Sequence, residues 1–309
     1  MNLPNFLIIG AAKAGTTSLY SYLNQHPEIY FSPFKEPRFF ALEGLEVNYQ
    51  GPSQVINEKA INTLDEYTKL FEEVKEEKAI GEASTLYLYS DRASERIKQY
   101  IPQVKLIAVL RNPIDRAYSS YSHLVRDGYE TLSFAEALAA EAERIDRNWP
   151  PLWHYQARGF YYQQLAKYYA LFPAEQIKVY LYDDFTNNPL GVAADIFDFL
   201  GVDTNFMPNT SQKMNVSGAP KNKALHKIIT QDNPLKSIVK QFFPQDLRKT
   251  LYKKIKSSNL GKSAKMPIEV RTQLINLYRD DVSKLEKLID RDLSDWLKSP
   301  ATKQLVTSK

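Results

Sequence analysis

One stretch decides the fold of this chain: FLIIGAAKAGTTS, residues Phe6–Ser18. Its apolar run Phe6–Ile9 is typical of a buried strand and ends at Gly10, and a helical pattern of apolar residues begins near Thr16. The order strand, glycine-containing loop, helix leaves backbone N–H groups exposed at the helix start, where the helix dipole favours an anion. The opening therefore predicts a phosphate-binding loop at the end of a strand, and the alternative is an ordinary strand-to-helix turn.

The rest of the chain continues the alternation of strand and helix. Further buried strands are predicted at Ala79–Gly81, Val104–Leu110 and Ile177–Tyr182. Helices are predicted at Leu64–Phe71, Ala93–Tyr100, Pro113–Arg126, Phe134–Ile145, Gln163–Phe172, Pro189–Leu200 and Ile268–Ile289. Strands that lack hairpin turns and are separated by helices need crossover connections, and these make a parallel sheet. We therefore predict an α/β fold: a P-loop-like central parallel sheet flanked by helices, with a helical C-terminal part packed on the same core.

Composition excludes several classes of protein and site. The 309 residues are 43% hydrophobic and 25% charged, as in a globular enzyme. Because the chain has no cysteine, it can hold no disulfide, iron–sulfur cluster, thiolate zinc site or cysteine nucleophile. Its four histidines lack the spacing of a zinc site, so we expect no metal; they are His26, His123, His154 and His226. With no signal-peptide pattern and no run of roughly 20 apolar residues, the expected location is the cytoplasm.

Positive charge is concentrated late in the chain. The net charge is +4, yet Lys213–Lys265 holds 13 lysines and arginines against two acidic residues. Two interpretations stay open, a solvated helical face or a surface that meets an anion. A nucleic-acid or membrane-surface binding module would use this segment, but it would leave the loop and helix at residues 10–18 unexplained.

The first loop departs from the loop of nucleoside-triphosphate enzymes. Gly10 and Gly15 have the spacing of G-x-x-x-x-G-K-[ST], and Thr17 takes the hydroxyl position. The position of the lysine is Thr16, however, and Lys13 lies three residues earlier. The lysine at the helix start normally reaches the β- and γ-phosphates, so its loss disfavours the alternative of a P-loop nucleotide kinase or NTPase.

The stretch AAKAGTTSL resembles the 5′-phosphosulfate loop of sulfotransferases that use 3′-phosphoadenosine 5′-phosphosulfate (PAPS), in particular the heparan-sulfate-type branch and its bacterial relatives. The resemblance implies that Lys13 contacts the bridging oxygen of the leaving phosphate. It also implies that the co-substrate is held by Lys13, Ala14, Gly15, Thr16, Thr17 and Ser18, with 3′-phosphoadenosine 5′-phosphate (PAP) as the product and no metal required.

A second segment, RNPIDRAYSS, follows the strand Val104–Leu110. It is similar to the 3′-phosphate segment of the same family, which implies that Arg111 and Ser119 bind the 3′-phosphate. The alternative is that Arg111 pairs with Asp115 at the start of the helix. A third segment, residues 213–221, resembles the late loop that closes over the nucleotide, so Ser217, Gly218 and Lys221 are candidate ligands, although such residues are also common in ordinary loops.

The segment KEPRFF resembles the K-E-x-x-F-F motif, whose glutamate is the catalytic base, and the corresponding residue is Glu36. Glu82 is a second candidate carboxylate, and a salt bridge with Lys35 or Arg38 is the structural alternative for Glu36. His26 follows the first helix and is interpreted as a helix-end residue. The pattern departs from the heparan-sulfate branch at Arg38, Ala41 and Ala83, where histidine, aspartate and lysine are common, and this puts a polysulfated acceptor in doubt.

The sequence thus predicts one sulfotransferase domain, 1–309, with a nucleotide-binding core at 1–202 and a capping loop and helices at 203–309. Glu36 acts as base and Lys13 stabilises the leaving phosphate in an in-line sulfuryl transfer. The acceptor is a hydroxyl, or less favourably an amine, of a glycan, glycolipid or small molecule. No nucleic-acid partner or transmembrane segment is expected, and peripheral membrane contact and oligomeric state stay open. The stretch WPPLWHYQARG, with Trp149, Trp153, His154 and Arg158, lines an acceptor cleft or packs in the core.

Overall fold

A parallel sheet forms the centre of the molecule. The structure, a computed structural model, describes residues 2–53, 55–211 and 266–298, and the backbone of 219–220 and 260–261. Within these residues, five strands pair in the order β2-β3-β1-β4-β5, and every pairing is parallel. The strands are β1 Phe6–Gly10, β2 Ile29–Phe31, β3 Ala79–Ala83, β4 Lys105–Leu110 and β5 Ile177–Leu181. The predicted α/β fold is confirmed.

Helices cover both faces of this sheet. The α-helices in the described residues are α1 Thr16–Leu23, α2 Phe39–Leu42, α3 Val55–Glu58, α4 Leu64–Lys69, α5 Leu86–Tyr89, α6 Ala93–Tyr100, α7 Pro113–Asp127, α8 Phe134–Ala139, α9 Glu141–Asp146, α10 Tyr161–Leu171, α11 Tyr182–Asn187, α12 Pro189–Leu200 and α13 Ile268–Ile289. Short 3₁₀ turns occur at Pro151–Trp153, Ala157–Gly159, Ala174–Gln176 and Ser294–Leu297. A two-residue antiparallel pair, β6 Ala219–Pro220 with β7 Leu260–Gly261, lies apart from the main sheet.

The two central strands explain why the sequence shows unbroken apolar runs. In β1, Phe6–Ile9 are fully buried, and in β4 the same holds for Leu106–Leu110. A parallel sheet that is covered on both faces has no solvent side, so its strands do not alternate polar and apolar residues.

Two local differences from the predicted elements have physical reasons. β2 was not predicted, because an edge strand of three residues is too short to show a periodic pattern. The predicted helix Phe134–Ile145 is two helices that meet at Ala140, which stays in the right-handed region but has ψ −7°, displaced from the usual helical value of about −42°. The carboxylate of Glu141 then accepts hydrogen bonds from the backbone N–H groups of Gln156 and Ala157, at 2.6 and 2.8 Å. This contact comes from a distant segment and left no local signal.

The C-terminal helix α13 packs on the same core as the sheet. The carboxylate of Asp281 accepts hydrogen bonds from the backbone N–H groups of Tyr162 and Gln163, at 3.0 and 3.4 Å, at the start of α10. The hydroxyl of Tyr278 donates to the carbonyl of Gln156 at 2.9 Å. The first contact satisfies donors that an α-helix leaves free at its N-terminus.

The order of the strands creates a crevice at one edge of the sheet. β1 and β4 are neighbours, but the chain leaves β1 towards β2 on one side and leaves β4 towards β5 on the other. In open parallel sheets, ligands bind outside the carboxyl ends of the strands at such a point of divergence. The residues that follow Gly10 and Leu110 are therefore brought together.

Candidate active site

A cavity of about 1110 Å³ opens at this edge of the sheet. Eight of the predicted site residues line it: Lys13, Gly15, Thr16, Thr17, Ser18, Glu36, Arg111 and Ser119. Ala14 does not line it, since its side chain is fully buried and its backbone N–H donates to the carbonyl of Ala11 at 3.3 Å. The structure therefore brings both predicted phosphate segments and the candidate base to one place.

The loop after β1 presents the free N-terminus of a helix to the cavity. Gly15 has φ 86°, and α1 begins at the next residue without a capping side chain and without an acidic residue in its first turn. The first N–H groups of an α-helix have no intrahelical acceptor, so this terminus is suited to an anion. A Cβ at Gly15 would lie 3.2 Å from Phe185 and 3.3 Å from Tyr182, so glycine serves both the turn and the close approach.

Arg111 ties the two phosphate segments together. Its Nη1 donates to the carbonyl of Lys13 at 3.1 Å, and its guanidinium stacks on Tyr182 with 4.7 Å to the ring centre. Asp115, the partner in the alternative interpretation, instead pairs with Arg271 of α13 at 2.7 Å. The sequence-based alternative of an Arg111–Asp115 salt bridge is therefore not what the structure has.

Lys13 combines an unusual backbone with a perturbed side chain. Its φ is 67°, in the left-handed region that residues with a side chain rarely adopt. Burial lowers the pKa of Lys13 to about 8, and the positive charges of Arg126 and Arg111 add to the effect while Asp127 opposes it. A buried ammonium among other cations is destabilised until an anion joins it.

Glu36 is held in the lining of the cavity by a loop that packs on the end of β3. The hydroxyl of Thr85 donates to both carboxylate oxygens of Glu36, at 3.1 and 3.2 Å. Lys35 Nζ lies 3.6 Å from Oε1, and Arg38 Nε lies 3.5 Å from Oε2. The backbone N–H of Arg38 donates to Ser84 Oγ at 2.9 Å, which fixes the loop on the end of β3. The salt bridges predicted as the alternative role of Glu36 are present, and Glu36 still lines the cavity.

The charges around Glu36 keep its carboxylate ionised. Burial acts to raise the pKa of Glu36, but the cations of Lys35, Arg38 and Arg158 and the hydrogen bond from Thr85 outweigh burial, so the pKa lies below its ordinary value. An ionised carboxylate on the wall of a cavity can accept a proton, which is the requirement for a general base.

Arg158 is a cavity residue whose position the sequence left open. It is 7% exposed, and its Nη2 donates to the carbonyl of Thr85 at 3.0 Å. Burial lowers the pKa of Arg158 to about 10. Trp153 also lines the cavity, whereas Trp149 and His154 do not. His154 accepts a hydrogen bond from Tyr89 at Nδ1 and donates to the carbonyl of Trp149 at 3.1 Å, which identifies a neutral ring held in the core.

Two other candidates for the base lie away from the cavity. Glu82 is fully buried and accepts a hydrogen bond from Tyr67 at 3.3 Å, and burial raises the pKa of Glu82 to about 7. His26 donates from Nε2 to the carbonyl of Asp203 at 2.9 Å and accepts from the N–H of Glu28 at 3.0 Å. Its place after α1 agrees with the interpretation of His26 as a helix-end residue.

Several cavity residues were not predicted as site residues from the sequence. Arg38 lies inside the motif of Glu36, and it was named only as a salt-bridge partner and as a departure from the family pattern. Thr85 was not named, and its place two residues after Ala83 was the available signal. His123, Asp127, Tyr182 and Phe185 carried no motif of their own, although all four line the cavity. The candidate ligands Ser217, Gly218 and Lys221, and the basic segment Lys213–Lys265, lie outside the described residues apart from the backbone of 219–220 and 260–261.

Comparison with known proteins identifies the family of the chain that forms this cavity. The model of the Sulfotransferase family matches residues 4–206, which include the cavity segments from the first loop to α12. The chain belongs to the sulfotransferase family. This membership confirms the predicted enzyme class and speaks against the kinase alternative.

Individual relatives of this sulfotransferase extend the comparison. The crystal structure of a sulfotransferase from Alicyclobacillus acidocaldarius is 37% identical, has a TM-score of 0.76, and matches 96% of this chain and 100% of that one. Human bifunctional heparan sulfate N-deacetylase/N-sulfotransferase 3 is 27% identical over 97% of this chain, and the membrane-associated sulfotransferase kil1 of Dictyostelium discoideum is 24% identical over 80%. The chain spans 32% and 64% of the lengths of those two proteins, respectively. The predicted likeness to the heparan-sulfate-type branch is confirmed.

The described part of this sulfotransferase lacks two features. None of its helices there combines the length and the apolar character that crossing a bilayer would require. No group of three or more histidine, aspartate or glutamate side chains converges there as a set of metal ligands.

Proposed function

We propose that this protein transfers a sulfuryl group from PAPS to an acceptor hydroxyl, with Glu36 as the base and Lys13 as the cation at the leaving oxygen. One observation carries the proposal. The free helix terminus at Gly15, the cations Lys13 and Arg111, and the ionised Glu36 all line one cavity. Membership of the family supports a sulfuryl group as the group that is transferred. The residues that line the cavity support PAPS as its donor.

In this proposal the nucleotide is held in the cavity at both of its phosphates. The N–H groups at the start of α1 and the hydroxyls of Thr16, Thr17 and Ser18 would hold the 5′-phosphate, as phosphates are held at helix termini. Arg111 and Ser119 would hold the 3′-phosphate, because a guanidinium offers paired donors to phosphate oxygens. Ala14 is left out of this set, since its side chain and N–H are both used inside the loop.

The donor supplies a sulfuryl group whose bond to the 5′-phosphate oxygen breaks as the acceptor oxygen bonds to sulfur. Glu36 takes the proton of the acceptor hydroxyl, which it can do because its carboxylate is ionised at neutral pH. The ammonium of Lys13 balances the charge that develops on the leaving oxygen. An amine is the second class of nucleophile, since the name of the human relative includes N-sulfotransferase.

Transfer from ³⁵S-labelled PAPS tests the proposal. The protein is incubated with donor and, separately, with 1-octanol, phenol, methyl glucoside and an N-deacetylated glycan. We expect label in at least one acceptor, and we expect Lys13→Ala and Glu36→Gln each to lower the rate by about a hundredfold or more. The matched controls Lys178→Ala and Glu143→Gln change exposed side chains and should keep the rate. Full activity of Glu36→Gln would refute its role as base, and Mg²⁺-dependent ATP hydrolysis without transfer would refute the proposal as a whole.

A further inference from the structure

Part of the cavity lining is apolar and comes from segments other than the two phosphate segments. We define the apolar end by its lining residues, which are Val55, Ile56, Leu86, Tyr129 and residues 150–153. Val55 is 47% exposed and Tyr129 is 40% exposed, so large apolar surfaces stand open at its rim. Exposed apolar surface that continues a functional cavity is typical of a ligand-binding wall.

Two distant segments are held together to build the apolar end. The backbone N–H of Gln50 donates to the carbonyl of Asn148 at 2.8 Å, and Gly51 lies so close to Trp149 that a Cβ would approach the indole to 2.8 Å. Because Gly51 has φ 94°, the contact and the turn both require glycine. The chain thus fixes residues 48–53 against the turn that carries Trp153.

Two segments of the apolar end carry no charge. Residues 53–56 and 150–153 contain no charged side chain, and the turn reads Pro-Pro-Leu-Trp. Charged cavity residues adjoin these segments through Arg158, whose Nη1 donates to the carbonyl of Pro151 at 3.5 Å, and through Asp127, two residues before Tyr129; Glu36 and Arg38 also line the cavity. Both arginines are already engaged, because Arg38 pairs with Glu36 and Arg158 donates to the carbonyl of Thr85. A polyanionic glycan would place charges against this wall without partners, which is costly.

We propose that the acceptor is a hydroxyl carried on an apolar body, a hydrocarbon chain or an aromatic ring, that fills the apolar end and presents its oxygen to Glu36. This inference rests on the proposed function and names its substrate class. During transfer the O–H proton passes to Glu36, the oxygen–sulfur bond to the acceptor forms, and the bond from sulfur to the 5′-phosphate oxygen breaks. The products are a sulfate ester and PAP.

Calorimetry on the PAP-saturated protein with 1-butanol, 1-hexanol and 1-octanol tests the substrate class. Burial in an apolar wall should strengthen binding by about fourfold for each added methylene. Heparosan, an acidic glycan, should bind more weakly than 1-octanol. Equal affinities for the three alcohols, or a higher affinity for heparosan than for any of them, would overturn the inference.

Substitutions at the rim of the apolar end test whether the alcohols bind there. Val55→Asp should weaken the binding of 1-octanol at least tenfold, and Val55→Leu should not weaken it. Leu277→Asp, on α13, is the matched control because Leu277 is exposed to 39% and does not line the cavity. Equal loss in the aspartate variants at 55 and 277 overturns the assignment to the apolar end. PAP binding is measured first, so a failure of the proposed function shows as absent PAP binding, and a failure of the acceptor class shows as equal affinities for the three alcohols with PAP bound.

Discussion

Lys13 is the residue whose protonation should control the donor side of the reaction. Burial and neighbouring cations lower its pKa to about 8, so its charge is present below pH 8 and lost above it. The same desolvation that lowers the pKa makes the ammonium interact more strongly with an anion, since less water competes for it.

The first prediction follows from the loss of the Lys13 charge at high pH. For the wild type, kcat/KM for PAPS should fall as the pH rises above about 8, because the free enzyme then loses the Lys13 charge. Lys13→Arg should remove this fall up to about pH 9, whatever its absolute rate, since a guanidinium keeps its proton to higher pH than an ammonium. Rates measured from pH 6 to about 9 for both proteins check the prediction, because burial lowers the pKa of Arg158 in the same cavity to about 10. If kcat/KM falls above pH 8 in the arginine variant as it does in the wild type, the fall is due to a group other than Lys13.

Arg158 should help to keep the pKa of Glu36 low in two ways. Its positive charge acts on the carboxylate, and its hydrogen bond to the carbonyl of Thr85 positions the residue whose hydroxyl donates to Glu36. Arg158 donates to the carbonyl of Thr85, whose hydroxyl donates to both Glu36 oxygens, and the remaining cations that face Glu36 are Lys35 and Arg38. Arg158→Gln removes one of three cations, so the pKa of Glu36 should rise. Arg158→Lys keeps the charge and should leave the pKa near the wild-type value.

A carboxyl-carbon NMR titration of ¹³C-glutamate protein measures this directly, with Glu36 assigned by Glu36→Gln. The acidic limb of kcat/KM should move to higher pH together with the NMR value, because a base acts only when deprotonated. Thr85→Val should move both in the same direction by removing a hydrogen bond to the charged form. If neither readout moves in Arg158→Gln, the arginine is only structural.

At the scale of elements, the turn from β1 into α1 depends on Gly15. Gly15→Ala incurs the strain of a positive φ, about 1 kcal/mol, and adds a contact with Phe185 and Tyr182 that is tighter than normal packing. Gly44→Ala is the matched control, since Gly44 has φ 67° and nothing within 4 Å of the added Cβ. Thermal unfolding should show a larger loss for Gly15→Ala, and PAP affinity should fall only in that variant. Equal losses of stability would mean that the close approach is unimportant.

The elements also show which parts of the site a sequence can reveal. The loop at residues 10–18 and the segment after β4 were predicted because each lies within one contiguous strand–loop–helix unit. The apolar end was predicted only in part. The stretch with Trp153 was one candidate for an acceptor cleft, but Val55 and Tyr129 come from separate segments that only the folded chain brings together with it. Glu141 shows the same limit, since the backbone N–H groups that its carboxylate contacts belong to the distant residues 156–157.

At the scale of the whole molecule, α13 joins the C-terminal part to the sheet core. Asp281 accepts from the N-terminal N–H groups of α10, and Arg271 pairs with Asp115 of α7. We therefore expect the predicted single domain to unfold in one transition, with circular dichroism and tryptophan fluorescence coincident. Asp281→Ala should lower the midpoint by removing a helix cap worth about 1 kcal/mol, without splitting the transition. Two transitions, with only the later one affected, would indicate separate domains.

The global fold was readable from sequence because the apolar runs of β1 and β4 are buried on both faces. Charge was harder to interpret, since the segment with the largest positive excess lies mostly outside the described residues. The cations that line the described cavity, Lys13, Arg38, Arg111 and Arg158, come from four separate segments. Their convergence is a property of the folded molecule, and two of them, Lys13 and Arg111, are the basis of the proposed preference for a doubly phosphorylated nucleotide.

The most direct test of the account is a calorimetric titration of PAP into the wild type, Arg111→Ala and the surface control Arg147→Ala. The account predicts submillimolar binding to the wild type and the control, and affinity weakened about tenfold or more by Arg111→Ala, because a charge-assisted pair to phosphate is lost. No binding to the wild type, or binding that Arg111→Ala leaves unchanged, would contradict it.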